Sequence, residues 1–295
     1  MKILPFILLG WGALAGPLDL GEWSAGEELR LRLNDPRQER RTTSLNWADF
    51  STKKEGESVR VILPTRKKLR IVIDPGHGGK DLGALGHYGV MEKKLCLLLG
   101  QLVRERLQKD LAARGIAADV VMSRDRDLFL SLRDRVRFAN DTGADLFLSI
   151  HGNSSEYPGV RGFEVYFLSA EATDARAKAL ARAENSEHVE APLKADVLSI
   201  LSDLKANQHV SESSRFAETV FRAMARTLHA NGRGVRQAPF TVLFGTAMPA
   251  LLVEVGYLTH REEALLLNRA LYLRRLSGAI SSGVIEYALT MKDLG

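Results

Sequence analysis

The sequence predicts an α/β fold: a mostly parallel sheet with helices on both faces, built as a single catalytic domain with a helical insert. Three observations carry this expectation. From Leu69 onward, short apolar or β-branched runs alternate with segments of helical periodicity, the pattern of strands covered by helices on both sides. The first run stops at a turn signal, Asp74-Pro75-Gly76. The composition, 45% hydrophobic and 26% charged over 295 residues, is that of an ordinary globular chain.

Leu69 to Ile73 reads as the first strand. Met91 to Arg114 reads as a helix, with Leu95, Leu99, Leu102, Leu107 and Leu111 on one face and Gly115 as its C-terminal stop. Ala118 to Met122 follows as a strand, Leu132 to Asn140 as a helix, Leu146 to Ile150 as a fully buried strand and Phe163 to Leu168 as a fourth. Ser213 to His229 is a helix, Leu251 to Val255 the last clear strand, and Arg261 to Leu289 a closing helix. Residues 171–210 exceed what a strand-to-helix connection needs. They carry two helical patterns, Asp174 to Val189 and Lys194 to Lys205, on either side of Pro192.

The start of the chain differs from the rest. Lys2, the apolar run Ile3 to Leu14 and the small-residue pattern Ala13-Leu14-Ala15 together read as an export signal over residues 1–15. The run is too short to span a bilayer, so a periplasmic or secreted protein without a stable membrane anchor is expected. Residues 16–68 are charged and turn-rich and read as a linker or N-terminal extension, in which Val59 to Ile62 could add an edge strand. The catalytic domain then covers 69–295. Cys96 is the single cysteine. It excludes an internal disulfide and a thiolate-rich metal site, and in Leu95-Cys96-Leu97-Leu98 it reads as a buried, inert thiol. A net charge of +5 is modest, and there is no RNA-recognition signature or finger-type Cys/His spacing, so nucleic acid is not an expected partner.

In open α/β sheets, sites form beyond the carboxyl ends of the strands. His77 follows the first strand, His151 follows the third, Glu254 lies near the end of the last, and Glu92 opens the first long helix. Two imidazoles and a carboxylate suit one Zn²⁺ ion with a position left for water. A glutamate on an otherwise apolar strand, Glu254, suits a general base beside that water. Each residue also has a structural explanation: a strand-end histidine, a helix-dipole partner at Glu92, or a buried ion pair at Glu254. Gly79-Lys80 lacks the spacing of a phosphate loop and has Asp81 where that motif needs Ser or Thr. Ser149 and Ser154 have no Gly-x-Ser-x-Gly elbow. His87, His188, His209, His229 and His260 read as surface or structural.

At these residues the sequence resembles the zinc-dependent N-acetylmuramoyl-L-alanine amidases, in the family that includes bacterial cell-division amidases. The matching blocks are Ile73 to Asp81 continuing through Gly89-Val90-Met91-Glu92-Lys93, then Ala139-Asn140 with Ala144 to Asn153, and finally Pro249 to Leu258. Leu82 stands where the family often has proline, and Tyr257 where it often has phenylalanine. The resemblance implies His77, Glu92 and His151 as zinc ligands and Glu254 as the catalytic glutamate. It implies peptidoglycan as substrate, cut between N-acetylmuramic acid and L-alanine. It also implies that the insert lies across the site until a protein activator displaces it, with Glu184 as a carboxylate able to cap the metal. The chain is expected to act as a monomer. Two rival readings are another zinc peptidase of the wall, such as a carboxypeptidase, and a non-catalytic wall-binding protein.

Overall fold

The computed structural model describes residues 29–32, 42–45, 51–55, 58–62, 68–186, 208–228 and 232–291. The export signal expected at 1–15 and the insert's second helix, Lys194 to Lys205, lie outside them. The chain divides into two compact units, residues 1–66 and 67–295. In the first, β1 (Leu29–Arg32) pairs with β2 (Thr42–Leu45), and β3 (Ser51–Glu55) pairs with β4 (Ser58–Ile62), both antiparallel. Val59 to Ile62 is therefore a strand, but its ladder is with β3 rather than at the edge of the main sheet.

The second unit is built on six strands: β5 (Leu69–Pro75), β6 (Ala118–Met122), β7 (Leu146–Asn153), β8 (Phe163–Leu168), β9 (Gly232–Ala238) and β10 (Ala250–Tyr257). Their order is β6-β5-β7-β10-β8-β9. All neighbours run parallel except β8 and β10, which are antiparallel. Its helices are α1 (Glu92–Ala113), α2 (Leu132–Thr142), α3 (Ala175–Ser186), α4 (Gln208–Leu228), α5 (Arg261–Leu267) and α6 (Ala270–Ala288). Among the described residues no helix is long and apolar enough to cross a membrane.

Local chemistry sets these boundaries. Ile116 N–H bonds back to the Leu111 carbonyl across Gly115 at φ 69°, the left-handed stop expected for α1. Ser131 accepts from Asp134 N–H to cap α2, which ends at Gly143 in the left-handed region. Two elements depart from the sequence reading. β9 was not expected, because Gly-Arg-Gly-Val-Arg-Gln-Ala has little apolar alternation and forms a partly exposed edge. The closing helix is two helices, interrupted where Arg269 is extended (φ −102°, ψ 122°).

Period-2 alternation assigns each strand residue to a face. Ile71, Ile73, Leu148, Ile150, Leu251 and Val253 point into one core with α1, α4 and α6. Val72, Phe147, Tyr166, Leu168, Ala250 and Leu252 point into the other, with residues of α2 and α3. The order reverses between β5 and β7: the chain leaves β5 through α1 for β6 on one side, then returns through α2 to β7 on the other. Helices on opposite faces leave a crevice at the carboxyl ends of these two strands.

The α4–α6 contact is close. A Cβ on Gly283 would lie 2.5 Å from Val220 Cα, so backbone rather than a flexible side chain would have to give. Gly283→Ala should cost about 1–3 kcal/mol, the range for overpacking, in urea unfolding. An unchanged midpoint would show that the helices separate freely.

Candidate metal centre

The loop after β5 is held in an unusual conformation. His77, Gly78 and Gly79 all have positive φ, 57°, 129° and 59°, and a non-glycine residue there costs energy that its surroundings must offset. Two buried arginines supply those surroundings. Arg135 donates to the Pro75 and His77 carbonyls, both at 2.7 Å, and to Asp74 at 2.8 Å. Arg124 donates to Pro75 O (2.9 Å), Gly76 O (2.6 Å) and Lys93 O (3.0 Å). Asp127 adds an outer clamp, accepting from Gly79 N–H and from Lys93 Nζ. The Gly76 position must remain bare, because a Cβ there would fall 2.5 Å from His151 Nε2.

This loop aims His77 inward. Its Nδ1 meets both Asp81 carboxylate oxygens at 2.9 Å, which assigns the proton to Nδ1 and turns the Nε2 lone pair toward the crevice. Nε2 lies 2.9 Å from Glu92 Oε1 and 3.5 Å from Glu184 Oε2. His151, from β7, places Nδ1 at 3.2 Å from Glu92 Oε1 and 3.0 Å from Glu184 Oε2. Glu92 is fixed by backbone donors, Gly152 N–H to Oε1 (2.9 Å) and Ala84 N–H to Oε2 (2.8 Å). Thus the first residue of α1 touches both strand-end loops, and Glu184 arrives from the last turn of α3.

Four ligand atoms, one from each of these residues, lie within 4.8 Å of one another. Tetrahedral zinc bonds of ~2.0–2.2 Å to N and O separate neighbouring ligands by about 3.4 Å, and the observed nitrogen–oxygen distances of 2.9–3.5 Å are compatible with that. The electrostatics also call for a cation. Burial lowers the His151 pKa, yet the Glu184 and Glu92 carboxylates outweigh it and push it up to about 10. Burial raises Glu92, but the His77 and His151 imidazoles hold it below the usual carboxylate range. A proton between two carboxylates and two imidazoles occupies a place a divalent ion fits, and the donor set is right for zinc.

Glu254 stands beside the cluster by register: it pairs with His151 on β7 and with Glu164 on β8, so all three side chains share a face. It is fully buried, and neither carboxylate oxygen has a hydrogen-bond partner among the described residues. Burial pushes its pKa well above the usual range; His151 opposes this, and the Glu184, Glu92 and Glu164 charges add to it.

The structure therefore brings His77, Glu92, His151 and Glu184 into one cluster with Glu254 adjoining it. Several supporting residues escaped the sequence reading: Asp74, Asp81, Arg124, Arg135 and Glu164. A buried acid in an apolar strand, the signal that marked Glu254, was equally present at Glu164. The other candidates are structural. Ser149 Oγ donates to Asp74 at 3.0 Å, His260 caps α5, and His209 lies 3.3 Å from Glu212. His188 and His229 lie outside the described residues. Cys96 is fully buried with its thiol pKa raised by burial.

An α/β sheet with a buried His/Glu/His/Glu cluster at its switch point defines a candidate metal-dependent hydrolase. The N-acetylmuramoyl-L-alanine amidase family matches residues 71–286. N-acetylmuramoyl-L-alanine amidase AmiA of Escherichia coli K12 is 34% identical over 226 residues, 75% of this chain and 76% of its own length. Two solved structures share the fold. The catalytic domain of CwlV, an amidase of Bacillus (Paenibacillus) polymyxa, has a TM-score of 0.58 at 28% identity, covering 76% of this chain and 99% of its own. AmiC2 of Nostoc punctiforme has 0.57 at 31%, with the same coverage. The chain belongs to the N-acetylmuramoyl-L-alanine amidase family.

The Asp74–Arg135 pair gives a stability test. Burial raises the Asp74 pKa, but Arg135 and the Ser123 hydroxyl bring it below its ordinary 3.8. A depressed folded pKa means stability that is present above the unfolded pKa and lost as pH falls through 3.8 and below. Asp74→Asn leaves a buried guanidinium without its counter-charge and should cost about 3–5 kcal/mol at pH 7. In urea unfolding the gap to the unaltered protein should narrow between pH 5 and pH 3; a constant gap would show that the ion pair is not what stabilises the loop.

Proposed function

We propose that this chain is a zinc-dependent N-acetylmuramoyl-L-alanine amidase. It hydrolyses the peptidoglycan amide between N-acetylmuramic acid and the L-alanine of the stem peptide, and α3 holds its site closed at rest. The observation that carries the reading is the buried His77/Glu92/His151 cluster with Glu254 alongside, in a chain whose relatives bear this activity as their name.

His77, Glu92 and His151 would hold the ion, with Asp81 fixing the His77 tautomer. Bound zinc supplies a Lewis acid for the scissile carbonyl, an acidified water, and positive charge that lowers Glu254 into the range of a working base. Glu254 takes a proton from the attacking water and delivers it to the alanine nitrogen as the C–N bond breaks, leaving a lactyl carboxylate and a free peptide amine. Its apolar strand keeps bulk water from competing for that proton. Such a substrate places the protein in the periplasm or outside the cell.

The resting state follows from Glu184. Its carboxylate sits between His77 Nε2 and His151 Nδ1, where it would serve as a fourth ligand to a bound ion and would exclude water and substrate together. A protein activator need only bind the displaced arrangement of α3 better than the closed one.

Two measurements test this. Glu254→Gln should retain one zinc per chain and lose about 10²–10⁴-fold in hydrolysis. Mass spectrometry of digests by the unaltered protein should show peptide-free glycan and intact stem peptides; shortened stem peptides would indicate a peptidase instead. Glu184→Gln should raise basal hydrolysis about 5–150-fold, a coupling of ~1–3 kcal/mol. Unchanged basal activity would end the closed-state reading while leaving the amidase reading in place.

A further inference from the structure

The polar row containing His151 and Glu254 continues past them. Glu164, opposite Glu254 on β8, is buried and surrounded by donors. The Nε atoms of Arg233 and Arg236, from β9, lie 2.9 and 3.1 Å from its Oε1. Asn153 Nδ2 and the Tyr166 and Tyr257 hydroxyls donate to Oε2 at 3.0–3.2 Å. Two guanidinium groups thus share one carboxylate. Because β8 is antiparallel to β10 and parallel to β9, the first residues of β8 and β9 lie at the same edge of the sheet as the end of β10. Strands are ~4.7–4.9 Å apart, so this part of β9 lies roughly 10 Å from Glu254.

A pocket of about 450 Å³ opens there, lined by Gly159, Arg161, Gly232, Arg233 and Arg236. Its charged lining is entirely cationic. Arg233 is held by Glu164 through Nε and lies with its guanidinium carbon 5.8 Å from the Tyr257 ring centre. Among the described residues, the protein partner of its terminal nitrogens is the Arg161 carbonyl at a long 3.5 Å. Arg161 pairs with Glu262, which is 75% exposed, and such a surface pair contributes little. Arg236 also pairs with Asp174, the residue before α3, so a carboxylate of the insert already occupies one side of this arginine group.

We propose that the Arg161/Arg233/Arg236 pocket binds a free carboxylate of the stem peptide, and so favours acidic stem peptides over amidated ones. The inference rests on the amidase reading and names a subsite of that same site. A peptide extends ~3.3 Å per residue, so an acidic group two or three residues from the cleaved amide reaches the pocket. A planar guanidinium, fixed along one edge, accepts a carboxylate on the other with two parallel hydrogen bonds.

The test compares two soluble muramyl tripeptides, identical except that the peptide carboxyls of one are amidated, as substrates of the full chain. Amidation should lower kcat/KM about tenfold or more, the loss of a charge-assisted contact, with the change carried by KM. Arg233→Gln should remove the preference, bringing the kcat/KM ratio of acidic to amidated substrate close to one. Arg161→Gln, at a half-exposed position, should show a smaller loss in the same direction and stands in if Arg233→Gln fails to fold. Equal turnover of the two substrates by the unaltered protein overturns the subsite and leaves the amidase reading standing. No turnover of either by the full chain or by its Glu184→Gln variant, in which the closing carboxylate is neutral, with calorimetry still showing carboxylate-dependent binding of the free tripeptide, overturns the amidase reading and keeps the pocket.

Discussion

Three consecutive carbonyl oxygens, those of Pro75, Gly76 and His77, turn toward the protein interior, and two guanidinium groups receive them. Buried carbonyls need donors, and a histidine in the left-handed region needs neighbours that keep it there. Arg124 and Arg135 meet both needs at once. They also couple elements distant in sequence: Arg124 reaches Lys93, next to Glu92 on α1, and Arg135 belongs to α2 and pairs with Asp74 at the end of β5. The positions of His77 and Glu92 are therefore set by one network, with Asp127 tying Lys93 to Gly79 around the outside.

The second consequence lies in the sheet. On the α2/α3 face, Val72, Phe147, Ala250, Leu252 and Leu168 fill an apolar core. The rows nearer the carboxyl ends are polar, with Asp74 beside Ser149, and His151, Glu254 and Glu164 in line. Ionisable side chains are tolerated there because their partners lie on adjacent elements: Arg135 of α2 for Asp74, the β9 arginines for Glu164, and the His/Glu cluster beside Glu254. This ordering explains the contrast between the two adjacent glutamates. Glu164 has donors for both oxygens, whereas Glu254 has none among the described residues; the first is settled without a ligand and the second is suited to move a proton.

Most strands and helices could be read from the sequence because their periodicity is local: Leu95, Leu99, Leu107 and Leu111 state a helix face without reference to anything else. His77, His151 and Glu254 stood out in the sequence as candidates because each interrupts or follows an apolar strand, and the sheet brings them together. What could not be read is what depends on strand order. Nothing in the local pattern places Glu164 next to Glu254, since β8 and β10 are separated by α3, α4 and β9 in sequence and paired only in the sheet. Arg124 and Arg135 are likewise ordinary charged residues of a loop and a helix until the β5 loop folds over them. β9 was missed for a related reason: an edge strand needs no buried alternation, and its arginines serve Glu164 rather than a core.

The position of α3 follows from contacts at both of its ends. At the start, Asp174 accepts from Ala177 N–H and pairs with Arg236, while Thr173 exchanges hydrogen bonds with Gln237. At the end, Asn185 donates to Pro239 O and accepts from Thr241 N–H, both at 2.9 Å, so one side-chain amide is paired as a strand would pair. Between them only Ala177 and Ala181 are fully buried, a small apolar contact at about 25 cal/mol per Å². Polar and charged bonds, not hydrophobic burial, therefore fix this helix. Such bonds exchange for others at modest net cost, which suits an element that, in the proposed mechanism, is closed at rest and displaced on activation. The Arg236 contact with Asp174 anchors the start of α3, and under the proposed displacement it would be given up to the pocket. In the proposed mechanism, opening the metal cluster and completing the carboxylate subsite are one event, because the same helix carries both Glu184 and, at its start, Asp174.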